Sequence, residues 1–436
     1  MSQPMPPDPQ RPTMIARVLR SVTAAEPCEV KAVTLSMLYF FFLFGSYSVI
    51  KPVRDAMGTV YGMAHLQELF TATLLASLAF APLYSGLASR IRLANFLPWV
   101  YGFVGLTILA FYAMFASGQY QDRWVAAGFY VWVSTFNVLI ISVFWTFMAD
   151  LYSRTQAKRL FGFVAAGGTL GGIVGPALAT LLATRIGNNN LMLISAAGFG
   201  VTAVLVRMLA NEKPKLVAAG ADAQRTSLER RLQGGPLDGF RLLLRSPYLL
   251  LLALFLLLMT WISTIVYFQL GDLITKAFSS REARTQAYGM IDLAVNSCAV
   301  LIQLFGTGRI IARFGVGTGL LLNPFIMVIA FLAIAFSPLL LVLGGIQILR
   351  RVAEYAVAKP TREMLFTVVD QESRYKAKNV IDTVVYRFGD FSSAWVSAAI
   401  LPYGVTGLAI FGVIASAIWF PIAYLLGKRY ESVRSG

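Results

Sequence analysis

Long apolar runs of about twenty residues dominate the chain, each closed by a short polar interval. They fall near 32–51, 66–88, 93–116, 124–148, 160–183 and 191–210, then near 247–270, 286–308, 318–336, 338–357, 379–401 and 404–427. A bilayer core takes about 20 apolar residues per helix, so the pattern predicts twelve transmembrane helices in two sets of six. Alternating ten-residue segments, the mark of a membrane β-barrel, are absent from the pattern. The runs near 286–308 and 338–357 carry the most polar residues, and only Ser337-Pro338 separates the ninth from the tenth.

The interval 211–246 is charged and turn-rich and reads as a linker, with a short amphipathic helix lying on the membrane. The expected organisation is therefore a disordered tail over 1–31, a six-helix half over 32–210, the linker over 211–246, a second six-helix half over 247–427 and a tail over 428–436. The start, "MSQPMPPDPQRP", has no apolar stretch or cleavage site of a signal peptide.

Composition agrees with a membrane class. Of 436 residues 57% are hydrophobic and 13% charged, against roughly 25% charged in soluble domains. The formal net charge is +16. No basic run is interleaved with stacking aromatics, so the surplus reads as cytoplasmic loop charge rather than a nucleic-acid surface. With both termini inside, the inner segments hold 29 of the 37 Lys and Arg. The outer segments hold Lys51, Arg54, Arg123, Arg185, Lys276, Arg281 and Arg284, and Arg387 falls within a helix. Cys28 and Cys298 lie at different depths and predict no disulfide; His65 reads as an interfacial residue. No metal-ligand spacing, cofactor motif or catalytic motif is present, which points away from an enzyme.

An internal repeat supports the two-half plan. "DLYSRTQAK" (Asp150–Lys158) follows the fourth run and "DQESRYKAK" (Asp370–Lys378) follows the tenth. Both fit D-x-x-S-R-x-x-A-K. Parallel repeats of six helices are the plan of the major facilitator fold, which alternates access by rocking its halves. Asp150, Arg154, Lys158, Asp370, Arg374, Lys376 and Lys378 are therefore expected to form a matched pair of inner-gate elements.

Ionisable side chains at membrane depth cost about 2.5–3.5 kcal/mol on insertion scales, so they should face the protein interior. Arg387 lies near mid-membrane, and Asp390 follows at i+3. The first can contact an anionic solute, or the two can neutralise each other; both readings stand. Asp292, Asn296 and Gln303 make a polar stripe on the eighth helix, expected to face a cavity, and Asn137 on the fourth is similar. Tyr267 reads as an interfacial belt residue. Pro52 is expected to kink the first helix rather than end it, placing Tyr47, Lys51 and Arg54 on one face with two cations near the outer mouth. The glycines of "AAGGTLGGIVGP" (Ala165–Pro176) are expected to serve close helix packing.

Three segments carry a family resemblance: "YSVIKPVRDAMG" (Tyr47–Gly58), "FWTFMADLYSRTQAKRLFGFVAAGGTLGGIVGP" (Phe144–Pro176) and "EYAVAKPTREMLFTVVDQESRYKAKNVIDTVVYRFGD" (Glu354–Asp390). The chain resembles the ATP/ADP antiporters, the nucleotide transporters of plastids and obligate intracellular bacteria, which are related to major facilitators. The resemblance implies an all-α integral membrane protein, multi-pass in a bacterial inner membrane, both termini cytoplasmic. It implies exchange of ATP and ADP by alternating access, with no cofactor. It also implies acidic residues within the fourth and seventh helices, yet none stands between Trp124 and Met148 or between Pro247 and Leu270. "SGLASRIR" likewise carries Ser89 where major facilitators usually have an acid.

The function expected is secondary transport of an anionic, nucleotide or phosphorylated solute. Lys51, Arg54, Asn137, Asp292, Asn296, Arg387 and Asp390 would line its site. The alternative is a proton-coupled transporter or exporter of another metabolite or drug. A monomer in contact with lipid, without nucleic acid, is expected.

Overall fold

The computed structural model describes residues 26–88, 93–219, 238–337, 339–369, 377–378 and 380–435. The N-terminal half is built from α1 (Val30–Tyr61), α2 (Leu66–Ala88), α3 (Leu93–Ala116), α4 (Arg123–Leu151) and α5 (Arg154–Ala219). α6 (Asp238–Arg245) lies inside the interval expected for the linker. The C-terminal half contains α7 (Pro247–Ala277), α8 (Arg281–Phe305), α9 (Thr307–Phe336), α10 (Leu340–Ala353), α11 (Lys359–Leu365), α12 (Tyr386–Ile400) and α13 (Gly404–Ser435). The described residues contain no strand.

Local chemistry sets the ends of these helices. Asp122, Ser246 and Ser280 cap α4, α7 and α8 by accepting from the backbone N–H of Trp124 (2.7 Å), Leu249 (3.3 Å) and Ala283 (3.2 Å), satisfying donors the first turn leaves free. α5 is 66 residues long because two helical arms meet at Gly187, where φ is 82°. A side chain would be strained there, and glycine is not. Gly315 (φ 78°) breaks α9 in the same way.

By length and apolar composition, eight stretches of the described residues can cross a membrane. Two of them, Arg159–Lys213 and Val380–Val433, are 55 and 54 residues long, enough for two crossings each at 1.5 Å per residue. Apart from Gly306 and Leu339, the described residues of the twelve apolar runs are helical. Two bounds shift. α5 continues past the expected end at 210 to Ala219. The tenth run does not stop at 357, because α10 passes through a π-helical turn (Glu354–Ala358) into α11 and ends at Leu365.

Packing gathers into two hydrophobic clusters. One runs from Ala32 to Leu209 and the other from Leu243 to Tyr430. The glycine-rich stretch of α5 lies directly on α1, as its composition predicts. A methyl at Gly167 would stand 2.1 Å from the Met37 carbonyl oxygen, and one at Gly171 2.5 Å from that of Phe41. In lipid no hydrophobic drive pulls helices together, so small residues that let backbones touch take its place. Pro52 sits inside α1 without ending it.

The face that carries the start of α1 and the turn between α4 and α5 is the basic face, and the opposite one the far face. At the far face the halves meet in a third cluster, where Tyr61, Leu66, Leu69, Ala127 and Tyr130 pack with Phe268 and Ala394.

Candidate functional site

α1 supplies the first wall of a cavity of about 910 Å³ between the halves. Phe40, Phe44, Tyr47, Lys51, Arg54 and Asp55 all line it. Their spacing keeps them on one side of the helix, an aromatic stripe toward the basic face and a charged one beyond. Lys51 lies ten residues before the end of α1, about 15 Å of helix rise below the far face. Both Lys51 and Arg54 line the cavity.

Asp292 on α8 is the centre of the charge arrangement. It is 4% exposed. One carboxylate oxygen accepts from the Nζ of Lys51 on α1 and the other from a guanidinium nitrogen of Arg351 on α10. The carboxylate thus joins the N-terminal half to the C-terminal half. A second carboxylate, Asp55, accepts from Arg54 Nη2 at 2.5 Å and Nε at 3.1 Å. Lys51 stands 3.6 Å from it. Arg54 also donates to Ser134 Oγ at 3.0 Å and lies 4.9 Å from the centre of the Tyr130 ring.

The C-terminal half brings more charge. Arg350 donates to Ser263 (2.6 Å), Glu354 (2.8 Å) and Gln347 (3.1 Å). Arg387 Nη1 lies 3.8 Å from Asp390 Oδ2, and both line the cavity. The pair expected from the i, i+3 spacing is thus formed, on the wall of the cavity. Lys359, Arg362 and Asp382 carry the lining toward the basic face, with Arg362 3.6 Å from Asp382. The lining holds seven basic and five acidic side chains.

The α8 stripe faces the cavity as its spacing predicts: Asp292, Asn296 and Gln303 all line it. Asn296 donates to the Gly172 carbonyl at 2.5 Å, again across the halves, and Gln303 to that of Tyr355 at 2.9 Å. Asn137 lines the same space, and its Oδ1 is buried without a hydrogen-bond partner. Among the described residues no group of three or more His, Cys, Asp or Glu could hold a metal ion. Cys28 and Cys298 are free thiols.

Among the described residues at the basic face, three ion pairs join elements of the same half. Asp150 pairs with Lys213 at 2.6 Å, Arg159 with Glu29 at 3.0 Å, and Lys378 with Glu363. The backbone of Arg154 and Lys158 belongs to α5, while their side chains lie outside the described set. Asp370, Arg374 and Lys376 also lie outside the described residues.

The far face is different, because contacts there cross between the halves. Tyr267 on α7 donates to Asp55 Oδ1 at 2.9 Å and stands 3.4 Å from the Tyr130 hydroxyl. Arg284 donates to Thr59 Oγ1 at 2.9 Å. Arg281 lies over the Tyr120 ring at 3.7 Å, and Trp395 donates to Thr71 at 3.0 Å. Tyr267 is thus an inter-half contact and not a belt residue facing lipid headgroups.

Sequence reasoning also missed Arg350, Arg351 and Glu354, which it counted with the inner end of the tenth run. The reason lies in where the helix stops: continuing fourteen residues beyond Arg351 to Leu365, it places that arginine about 20 Å of helix rise from its end.

Residues 32–353 match the family model described as Major Facilitator Superfamily. The chain belongs to that superfamily. Similar proteins include ADP,ATP carrier protein 1 of Chlamydia trachomatis serovar D, 26% identical over 353 residues, covering 71% of this chain and 66% of that protein. ADP,ATP carrier protein 1 of Chlamydia pneumoniae is 23% identical over 488 residues and covers 92% of each chain. The chain thus spans about two thirds of the first relative's length. Among solved structures, a bacterial homologue of the iron transporter ferroportin in an inward-facing state shares the fold with a TM-score of 0.67. It is 12% identical and covers 91% of this chain and 99% of its own. A bacterial homologue of the human lysosomal transporter Spinster, inward-facing and unoccupied, has a TM-score of 0.64 at 14% identity, covering 94% and 99%.

Proposed function

We propose that this major facilitator is a secondary transporter of an anionic, nucleotide or phosphorylated solute, working by exchange and alternating access. The observation that carries the reading is the cavity lining, with seven basic against five acidic side chains around about 910 Å³. That volume lies in the upper part of the roughly 300–1,000 Å³ range of small-molecule sites. Lys51, Arg54, Arg351 and Arg387 offer both point charges and planar forks, which suit phosphate oxygens. The relatives named ADP,ATP carrier proteins make ATP and ADP the first solutes to try.

The far-face contacts close the cavity on that side, so solute enters from the basic face in this state. The positive-inside trend makes that face cytoplasmic, with both termini inside a bacterial inner membrane. The repeated loops would then meet as the inner gate when the halves rock the other way, Asp150, Arg154 and Lys158 facing Asp370, Arg374, Lys376 and Lys378. The protein is expected to work as a monomer in lipid, its six-helix halves spanning 32–210 and 247–427.

Uptake of labelled ATP into proteoliposomes loaded with ADP tests the reading. Saturable uptake that needs internal ADP and survives collapse of the pH gradient is the expected result. The second reading, proton coupling, is favoured by Asp390, whose 3.8 Å approach to Arg387 leaves its carboxylate the more loosely held. Flux that follows an imposed pH gradient without internal nucleotide would select it, and absence of nucleotide-dependent flux would sink exchange.

A further inference from the structure

We infer that Asp292 is an internal stand-in for the solute's anionic group: it occupies the position between Lys51 and Arg351 that a solute anion takes on binding. The inference rests on the transport reading above but assigns Asp292 a role opposite to that of a solute contact. It competes with an anionic solute for the same two cations.

Three features support this. First, the contact geometry is that of an anion site already filled. Each oxygen of one buried carboxylate is held by a different cation, Lys51 on one and Arg351 on the other, as two oxygens of a phosphate would be. Second, the site is built across the moving boundary. Asp292 belongs to α8 and Lys51 to α1, so the carboxylate ties the halves together at the depth of the cavity. Third, the charge balance favours exchange of partners. Two cations face one carboxylate there, and leaving both unneutralised in a water-poor site is costly. A group with two negative charges matches them better than one carboxylate does. Asp55 stands 3.6 Å from Lys51 and can take up part of its charge as the partners exchange.

A binding measurement on the full-length purified protein tests this, with inorganic pyrophosphate and ATP as probes. Asp292→Asn keeps the shape and removes the charge. The expected result is pyrophosphate binding about tenfold tighter or more than in the wild type, the scale of coupling between close charge pairs. Lys51→Gln combined with Asp292→Asn removes one cation as well. It is expected to return affinity to near the wild-type level and serves as the folded control if the single variant does not survive purification. Unchanged or weaker pyrophosphate binding in Asp292→Asn, or a double variant that binds as tightly as the single one, overturns the stand-in role. Because pyrophosphate carries no base, this outcome is separate from the transport reading: a wild type that exchanges no ATP while Asp292→Asn binds pyrophosphate more tightly rejects the nucleotide and keeps the stand-in.

Discussion

Tyr267 on α7 donates its hydroxyl to Asp55 on α1 at 2.9 Å, and so fastens one half of the molecule to the other in the cavity wall toward the far face. Asp55 is the same carboxylate that Arg54 grips through two nitrogens. The cation that lines the site and the contact that closes the far face therefore share one acceptor. A change at either end is felt at the other, which is the coupling an alternating-access protein needs between site and gate.

Removing only the hydroxyl, in Tyr267→Phe, should loosen the far face. The lost bond to a charged acceptor is worth about 1.5–3 kcal/mol, and the apolar body of the ring stays in its cluster. In a background without Cys28 and Cys298, a cysteine at cavity-lining Ser263 should react faster with a membrane-impermeant thiol reagent added at the far face. A labelling rate equal to that of the parent would mean that the other far-face contacts hold the closure alone.

The pair Arg387 and Asp390 can be separated into its two roles by combining variants. Arg387→Ala leaves a half-buried carboxylate unmatched and should both lower the melting temperature and abolish exchange. Adding Asp390→Ala removes the unmatched charge, so stability should return. Exchange should stay below about a hundredth of wild type, a loss near 2.7 kcal/mol in the barrier, because the anion contact is still missing. Recovery of exchange in the double variant would reduce Arg387 to a structural partner.

The spans, the pairing of the halves and the α8 stripe were legible in the sequence for simple reasons. Lipid demands apolar length, and a polar side chain at depth has few places to go. That Pro52 does not end α1 was legible because membrane helices tolerate proline. What stayed hidden depended on where helices stop. Arg350 and Arg351 looked like charges at the inner end of the tenth run because that run ends soon after them, whereas the π-helical turn at Glu354–Ala358 carries the helix on through a polar stretch. π-helical turns of this kind often mark functional sites. Tyr267 was misread because a tyrosine near a helix end has the same signature whether it faces headgroups or the opposite half. The glycines of α5 could be assigned to packing from composition, but only the fold shows that α1 is their partner.

Steric substitution along α5 should therefore be graded by position. Gly171→Ala places a methyl 2.5 Å from the Phe41 carbonyl oxygen and 2.8 Å from the Gly45 nitrogen, and backbone cannot step aside as a flexible side chain can. Overpacking of this kind costs about 1–3 kcal/mol. Gly162→Ala, with nothing within 4 Å of its added methyl, should be neutral or slightly stabilising, since alanine is the better helix former. Thermal unfolding in detergent compares the two directly. Equal melting temperatures would show that α1 and α5 separate at no cost.

Neighbouring Arg350 and Arg351 should fail in different ways. Arg350 is 5% exposed, and its partners Ser263, Gln347 and Glu354 all belong to the C-terminal half. Arg350→Gln leaves Glu354 as an unmatched carboxylate, and breaking a buried pair in this way costs about 3–5 kcal/mol. The expected loss is in melting temperature and in the amount of folded protein recovered. Arg351 instead shares Asp292 with Lys51 across the halves. When Arg351→Gln removes one cation, Lys51 still neutralises the carboxylate, so stability should change little. The missing fork should raise the KM for an anionic solute by about tenfold or more. Measuring melting temperature and KM for both variants checks the contrast, and a stability loss in Arg351→Gln as large as that in Arg350→Gln would place both arginines in the scaffold.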